Sequence, residues 1–142
     1  MEKLIPESSS YHKLYYQFLL DELKTNGSLP THYPVPVQVI RFGKELTLAT
    51  IGGETCVEYS LRLKKELAKK NGGNIWVAGY CNDVMTYIPS EKIREEGGYE
   101  GGTSMIYIRT SAHPAPWAPG IEDQLVGKIH ELFDGLSSSG VE

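Results

Sequence analysis

Apolar residues recur along this chain with two periods, helical toward both ends and alternating or continuous in the middle. In residues 8–24, Tyr11, Leu14, Tyr15, Phe18, Leu19 and Leu23 fall at helical steps and predict an amphipathic helix. Ser9 or Ser10 supplies its cap and Asn26-Gly27 its stop. Pro30, Pro34 and Pro36 then favour an extended connection without regular pairing. Residues 37–42 and 45–51 alternate as two strands, and Gly43-Lys44 fits a two-residue hairpin with glycine first. The second strand runs into Gly52-Gly53-Glu54. Thr55 is then expected to cap a helix over residues 55–71, with Glu58 completing a capping box. Val57, Leu61 and Leu67 mark its inner face, and Lys64, Lys65, Lys69 and Lys70 sit toward its end, before Gly72-Gly73.

Residues 74–80 (NIWVAGY) form an apolar run that reads as a buried strand, ended by the turn formers Asn82 and Asp83. After Tyr87-Ile88-Pro89, Ser90 opens a short charged helical stretch that Gly97-Gly98 stop. Tyr99-Glu100 lie between two glycine pairs, where backbone can approach a ligand or another segment closely. A further strand is expected over 104–109, a proline-rich loop over 113–120, a helix over 121–136 and a frayed tail over 137–142. Strand, Gly-rich turn, helix, strand is half of an α/β layer. The fold class is therefore α/β, a mixed sheet flanked by helices in one segment over residues 1–142, with the first helix covering the sheet.

Charge narrows the partners. A net charge of −4 lacks the clustered basic face of a nucleic-acid binder, so none is expected as a partner. No apolar run approaches the ~20 residues of a transmembrane helix, and MEKLIPESSS lacks a signal peptide's basic-then-apolar order. Cys56 and Cys81 allow one disulfide at most, and their apolar neighbours read as two buried thiols, which leaves the compartment open.

The chemistry-bearing residues each admit a plain structural role. Glu54 is a strand-end carboxylate at a helix start, favoured there by the dipole or available as a hard oxygen ligand. Tyr87 and Tyr99 read as a packing tyrosine and a loop aromatic, and Asn82 and Asp83 as turn residues supporting the loop. His12, His32, His113 and His130 show no metal-ligand spacing. The Gly52-Gly53 turn lacks both phosphate-binding glycine signatures.

Two blocks of residues carry a resemblance. Gly79, Asn82, Asp83, Tyr87, Ile88, Pro89, Glu91 and Tyr99-Glu100-Gly101 stand in a pattern that resembles the carboxyl-terminal part of the neutral ceramidase catalytic domain, with its two tyrosines likewise twelve residues apart. Gly53-Glu54-Thr55, after a strand and before a helix, resembles that family's zinc-bearing glutamate segment. The resemblance covers residues 37–110 and departs from the family at Thr55-Cys56-Val57-Glu58 and in the glycines flanking Tyr99. It implies Glu54 and Tyr87 as zinc ligands and Tyr99 as a catalytic residue holding the scissile amide or its oxyanion. The family's two zinc-binding histidines lie well upstream, so the resemblance implies a C-terminal piece of a larger α/β zinc hydrolase domain. Its expected partners are the rest of that domain and a small-molecule lipid amide of the ceramide kind. Half a ligand set predicts weak zinc binding and no activity in this chain alone. Apolar residues on the first helix or one sheet face should then be exposed. The alternatives are a non-enzymatic α/β binding or interaction module and a flavodoxin-like nucleotide binder using the Gly52-Gly53 turn.

Overall fold

The structure is a computed structural model that describes residues 10–71, 74–107 and 115–138. Helix α1 (Ser10–Asn26) leads through an extended connection into strands β1 (Val37–Phe42), β2 (Leu46–Ile51) and the two-residue β3 (Glu54–Thr55). Helix α2 (Val57–Asn71), strand β4 (Asn74–Ala78) and the two-residue β5 (Tyr87–Ile88) follow. Short helices α3 (Glu91–Glu96) and α4 (Gly98–Gly101), a 3-10 helix (Thr103–Tyr107) and α5 (Ile121–Ser138) come last. The main sheet has the order β1-β2-β4, with β1 antiparallel and β4 parallel to β2. A parallel neighbour needs a crossover, and α2 supplies it. The second sheet is the parallel pair β3-β5. The chain is thus a mixed sheet flanked by helices, as its periodicities predict.

Strand alternation decides what each face does. Val37 and Val39 of β1, Ala49 and Ile51 of β2, and Ile75 and Val77 of β4 share one face by register and belong to the main core. Tyr59, Leu63 and Leu67 of α2 and Leu125, Val126, Ile129 and Phe133 of α5 complete that core. Each large aliphatic or aromatic side chain so buried stabilises the fold by about 1.5–3 kcal/mol. Arg41, on the same face, holds its guanidinium 5.1 Å from the centre of the Phe133 ring. Arg62 ties α2 to the start of α5 through Glu122 at 2.9 Å and Asp123 at 2.7 Å. The opposite face of the sheet leaves Ile40, Phe42 and Trp76 exposed, Phe42 by 54% and Trp76 by 61%.

The structure corrects several expectations. Helix α1 does not cover the sheet, whose inward face α2 and α5 already fill. Its Tyr15 and Leu19 pack instead with Phe18, Leu29 and Ile106, and Tyr11 and Leu14 stay exposed. The strand expected over 104–109 is a 3-10 turn as far as Tyr107, closed by Met105 N–H donating to Gly102 O at 3.2 Å. Residues 108 and 109 of that expectation lie outside the described residues, as do the Ser9 cap, the Gly72-Gly73 stop and His113. Phe42 pairs with Leu46, so the hairpin loop holds three residues rather than two, and β2 begins at Leu46. Helix α5 continues to Ser138, past the expected end. Both cysteines are free and partly exposed rather than buried.

Helix α2 shows the largest shift. Thr55 is a β3 residue paired with Ile88, not a cap, and Cys56 N–H donates to Ile88 O at 3.3 Å. This ladder sets the rotation at which the chain enters the helix. The buried face is consequently Tyr59, Leu63 and Leu67, whereas Val57 and Leu61 face outward. The capping box does not form, and the buried Glu58 Oε2 has no hydrogen-bond partner among the described residues.

Candidate functional site

The β3-β5 ladder places Glu54 directly beside Tyr87 and Thr55 beside Ile88. The loop before β5 is held on the β3 segment from three points. Gly53 N–H donates to Asp83 O at 2.8 Å, Glu54 N–H to Thr86 O at 2.8 Å, and Tyr80 N–H to Gly53 O at 2.7 Å. Gly53 makes this approach possible. Its φ is 75°, and a Cβ there would stand 2.8 Å from Met85 Sδ and 2.9 Å from Ile88. Strand β4 ends at Ala78, two residues short of the expected strand, because the chain turns at Gly79 to cross this segment.

Neighbouring residues of a parallel pair project to the same side, which puts the Glu54 and Tyr87 side chains next to each other. The Glu54 carboxylate beside it holds the Tyr87 phenol above its usual range. The same carboxylate pushes the Tyr80 phenol up to about 12. Tyr99 sets its ring edge-on to Tyr87, with centroids 5.5 Å apart. The row continues through Tyr107, 6.1 Å from Tyr99, to Tyr11 of α1, 5.1 Å further on. Tyr99 reaches this position from the tight α4 turn, where Gly101 lies so close to Ile93 that a Cβ would meet its carbonyl oxygen at 2.5 Å.

Nearby charge is of one sign. Burial, followed by the carboxylates of Glu100, Glu58 and Glu54, pushes the Cys56 thiol up, against a bond from the Ser90 backbone that lowers it. Such a corner repels anions and favours a cation or a proton donor.

Glu54, Tyr87 and Tyr99, which the sequence marked separately, therefore form one cluster. Asn82 and Asp83 engage other elements. Asn82, at φ 68°, donates from Nδ2 to Gln38 Oε1 of β1 at 3.1 Å. Asp83 Oδ2 accepts from Tyr33 Oη at 2.6 Å. They fasten the loop to the strand and connection before it. Sequence reasoning missed Tyr80, placed only as the end of a strand, although an aromatic directly after Gly79 at a strand-to-loop change was a usable signal. It missed Trp117 as well, whose indole Nε1 donates to Tyr87 O at 2.9 Å from a proline-rich loop. Trp117, Tyr33, Leu29, Pro30, Met105 and Ile121 help line a mostly apolar cavity of about 450 Å³.

The donor set suits a hard cation in part. Glu54 offers carboxylate oxygens and Tyr87, its neighbour in the ladder, a phenol oxygen, so a divalent ion between them would meet two oxygen donors. Among the described residues, no group of three or more His, Cys, Asp or Glu could hold a metal. His130 is engaged elsewhere, 2.7 Å from Glu66, and His32 Nδ1 lies 2.8 Å from Thr31 Oγ1. No helix among the described residues is long and apolar enough to cross a membrane. Comparison with protein-family models, with curated proteins and with solved structures finds no match to this chain.

Proposed function

We propose that this chain is the C-terminal part of a zinc-dependent amidohydrolase resembling neutral ceramidase, acting on the amide bond of an N-acyl lipid. The observation that carries the reading is the Glu54–Tyr87 pair, side by side on parallel strands with the Tyr99 ring against Tyr87. Glu54 and Tyr87 would hold the metal, with two histidines supplied by the rest of the domain. When bound, zinc makes a water acidic enough to attack the amide carbonyl. Tyr99, half-exposed beside Tyr87, would hold the amide carbonyl by its hydroxyl, and hydrolysis yields a fatty acid and an amine. Alone, this chain is expected to bind zinc weakly and to be inactive. In protein carrying the upstream histidine segments, Glu54→Gln and Tyr87→Phe should each lower bound zinc and amide hydrolysis together. Full zinc content with full activity in both variants ends this reading.

A second reading, a non-enzymatic module that binds a small apolar ligand, draws support from the cavity beside Trp117, whose volume falls in the range of ligand pockets. It predicts binding of apolar probes that Trp117→Ala abolishes and Glu54→Gln leaves intact.

A further inference from the structure

Glu91 stands among the residues that carry the resemblance, yet the roles of metal ligand and amide holder leave it unused. It opens α3, and its side chain keeps 35% of its surface exposed, so water is within its reach. Both of its oxygens are nevertheless taken by protein. Oε1 accepts from Arg94 Nε at 2.7 Å and lies 2.6 Å from Nη2. Oε2 accepts the Gly120 N–H at 3.0 Å. The Arg94 bond first, and the Gly120 bond after it, hold the carboxyl below its ordinary range. The second bond reaches out of the helix. Gly120 precedes α5 at φ 85°, and Pro119 before it has no N–H to offer. In a capping box the acid that takes such an N–H comes from the same helix. Here it comes from α3, and the arrangement is reciprocal. Glu91 N–H donates to Glu122 Oε2 at 2.8 Å, while Glu122 Oε1 takes Arg62 Nη1 at 2.9 Å. Trp117, in the same loop as Gly120, donates its indole N–H to Tyr87 O at 2.9 Å. Tyr87 and Glu91 are close along one stretch of chain, and Trp117 and Gly120 along another. The two bonds between the stretches therefore close a small ring.

We infer that Glu91 is a positioning residue: its bond to Gly120 keeps Trp117 on the Tyr87 carbonyl and so steadies the strand that sets Tyr87 beside Glu54. For its functional weight the inference rests on the Glu54–Tyr87 site proposed above, whereas the ring itself needs no metal. A bond to a charged acceptor is the stronger kind, so the Gly120 end of the ring is the firmer of the two. Without it the loop is tied to β5 by a neutral indole bond alone, and that bond opens more often. Arg94, by contrast, ties Glu91 only within α3, which separates the two partners of the carboxylate by what each should affect.

The test follows the Trp117 indole N–H resonance of the whole chain, assigned by its loss in Trp117→Phe. Glu91→Ala removes both bonds of the carboxylate, Glu91→Asp draws it back by one methylene, and Arg94→Ala breaks the ion pair alone. Both Glu91 variants should move the indole resonance and speed its exchange with solvent, by about fivefold in Glu91→Ala, the worth of one hydrogen bond. Arg94→Ala should leave resonance and exchange near those of the parent. Zinc chloride titrations should show a severalfold loss of affinity in the Glu91 variants only. An indole signal unchanged in both Glu91 variants, or moved as far by Arg94→Ala, overturns the inference, as does full zinc affinity in both Glu91 variants. If the parent chain takes up no zinc while the indole moves in the Glu91 variants alone, the zinc reading fails and the placement of Trp117 by Glu91 stands.

Discussion

Tyr33 Oη donates to Asp83 Oδ2 at 2.6 Å, joining the proline-rich connection before β1 to the loop before β5 across fifty residues of sequence. The bond to the carboxylate, followed by burial and the Asp83 charge, pushes the phenol up to about 12. A group whose pKa is raised on folding adds stability that is fully present below its unfolded value and lost as pH rises through the folded one. For Tyr33 that window runs from about 10, the free phenol value, to about 12. Denaturant titrations between pH 9 and 12 should therefore show a steeper loss of stability in the parent than in Tyr33→Phe. At neutral pH, Tyr33→Phe should cost about 1 kcal/mol, the net worth of one hydrogen bond. Parallel pH curves for the two proteins would contradict this assignment.

The rotation of α2 gives a second, direct comparison. Leu63 is fully buried in the main core, whereas Leu61, two residues earlier on the same helix, is 63% exposed. Leu63→Ala should cost about 2–5 kcal/mol, and Leu61→Ala should stay within about 0.5 kcal/mol of the parent. Urea midpoints measure both. Equal losses would restore the inner face through Val57 and Leu61 that sequence spacing suggested.

The outward face of the main sheet is open to a third test. Ile40 and Trp76 flank Leu48 in one cross-strand row of that face, Phe42 lies in the next row, and all three are exposed. Contiguous apolar surface of this kind binds hydrophobic dyes and promotes association. Replacing all three by Thr, which suits a strand, should lower dye fluorescence and self-association severalfold while moving the melting temperature by only a few degrees. Undiminished dye binding would locate the apolar surface elsewhere.

The local pattern of side chains was enough to establish the α/β class, the positions of β1, β2 and β4, and helices close to their observed ends. These follow from near-neighbour physics: alternation along a strand, three- and four-residue steps along a helix, and glycine or proline where regular structure must stop. The strand-end carboxylate Glu54 and the aromatic Tyr87 were legible as candidates for the same reason, since each follows a recognisable element. What the pattern left undecided depended on partners distant in sequence. The two-residue β3-β5 ladder is too short to have a period, yet it displaced Thr55 from its expected cap and turned α2 to a different face. The segment around Ile106 is short and apolar enough for a strand, but it curls into a 3-10 turn against α1. Helix α1 lost the sheet to α2 and α5, a competition for one surface that no single helix can reveal. Tyr80 takes a left-handed backbone angle at a non-glycine residue, where its N–H bonds Gly53 O, a partner distant in sequence. Sequence determined the longer elements, α1, β1, β2, α2, β4 and α5, because their causes lie within a few residues. Tertiary structure decided which faces meet and which tyrosines surround the carboxylate, because those choices belong to contacts made across the whole chain.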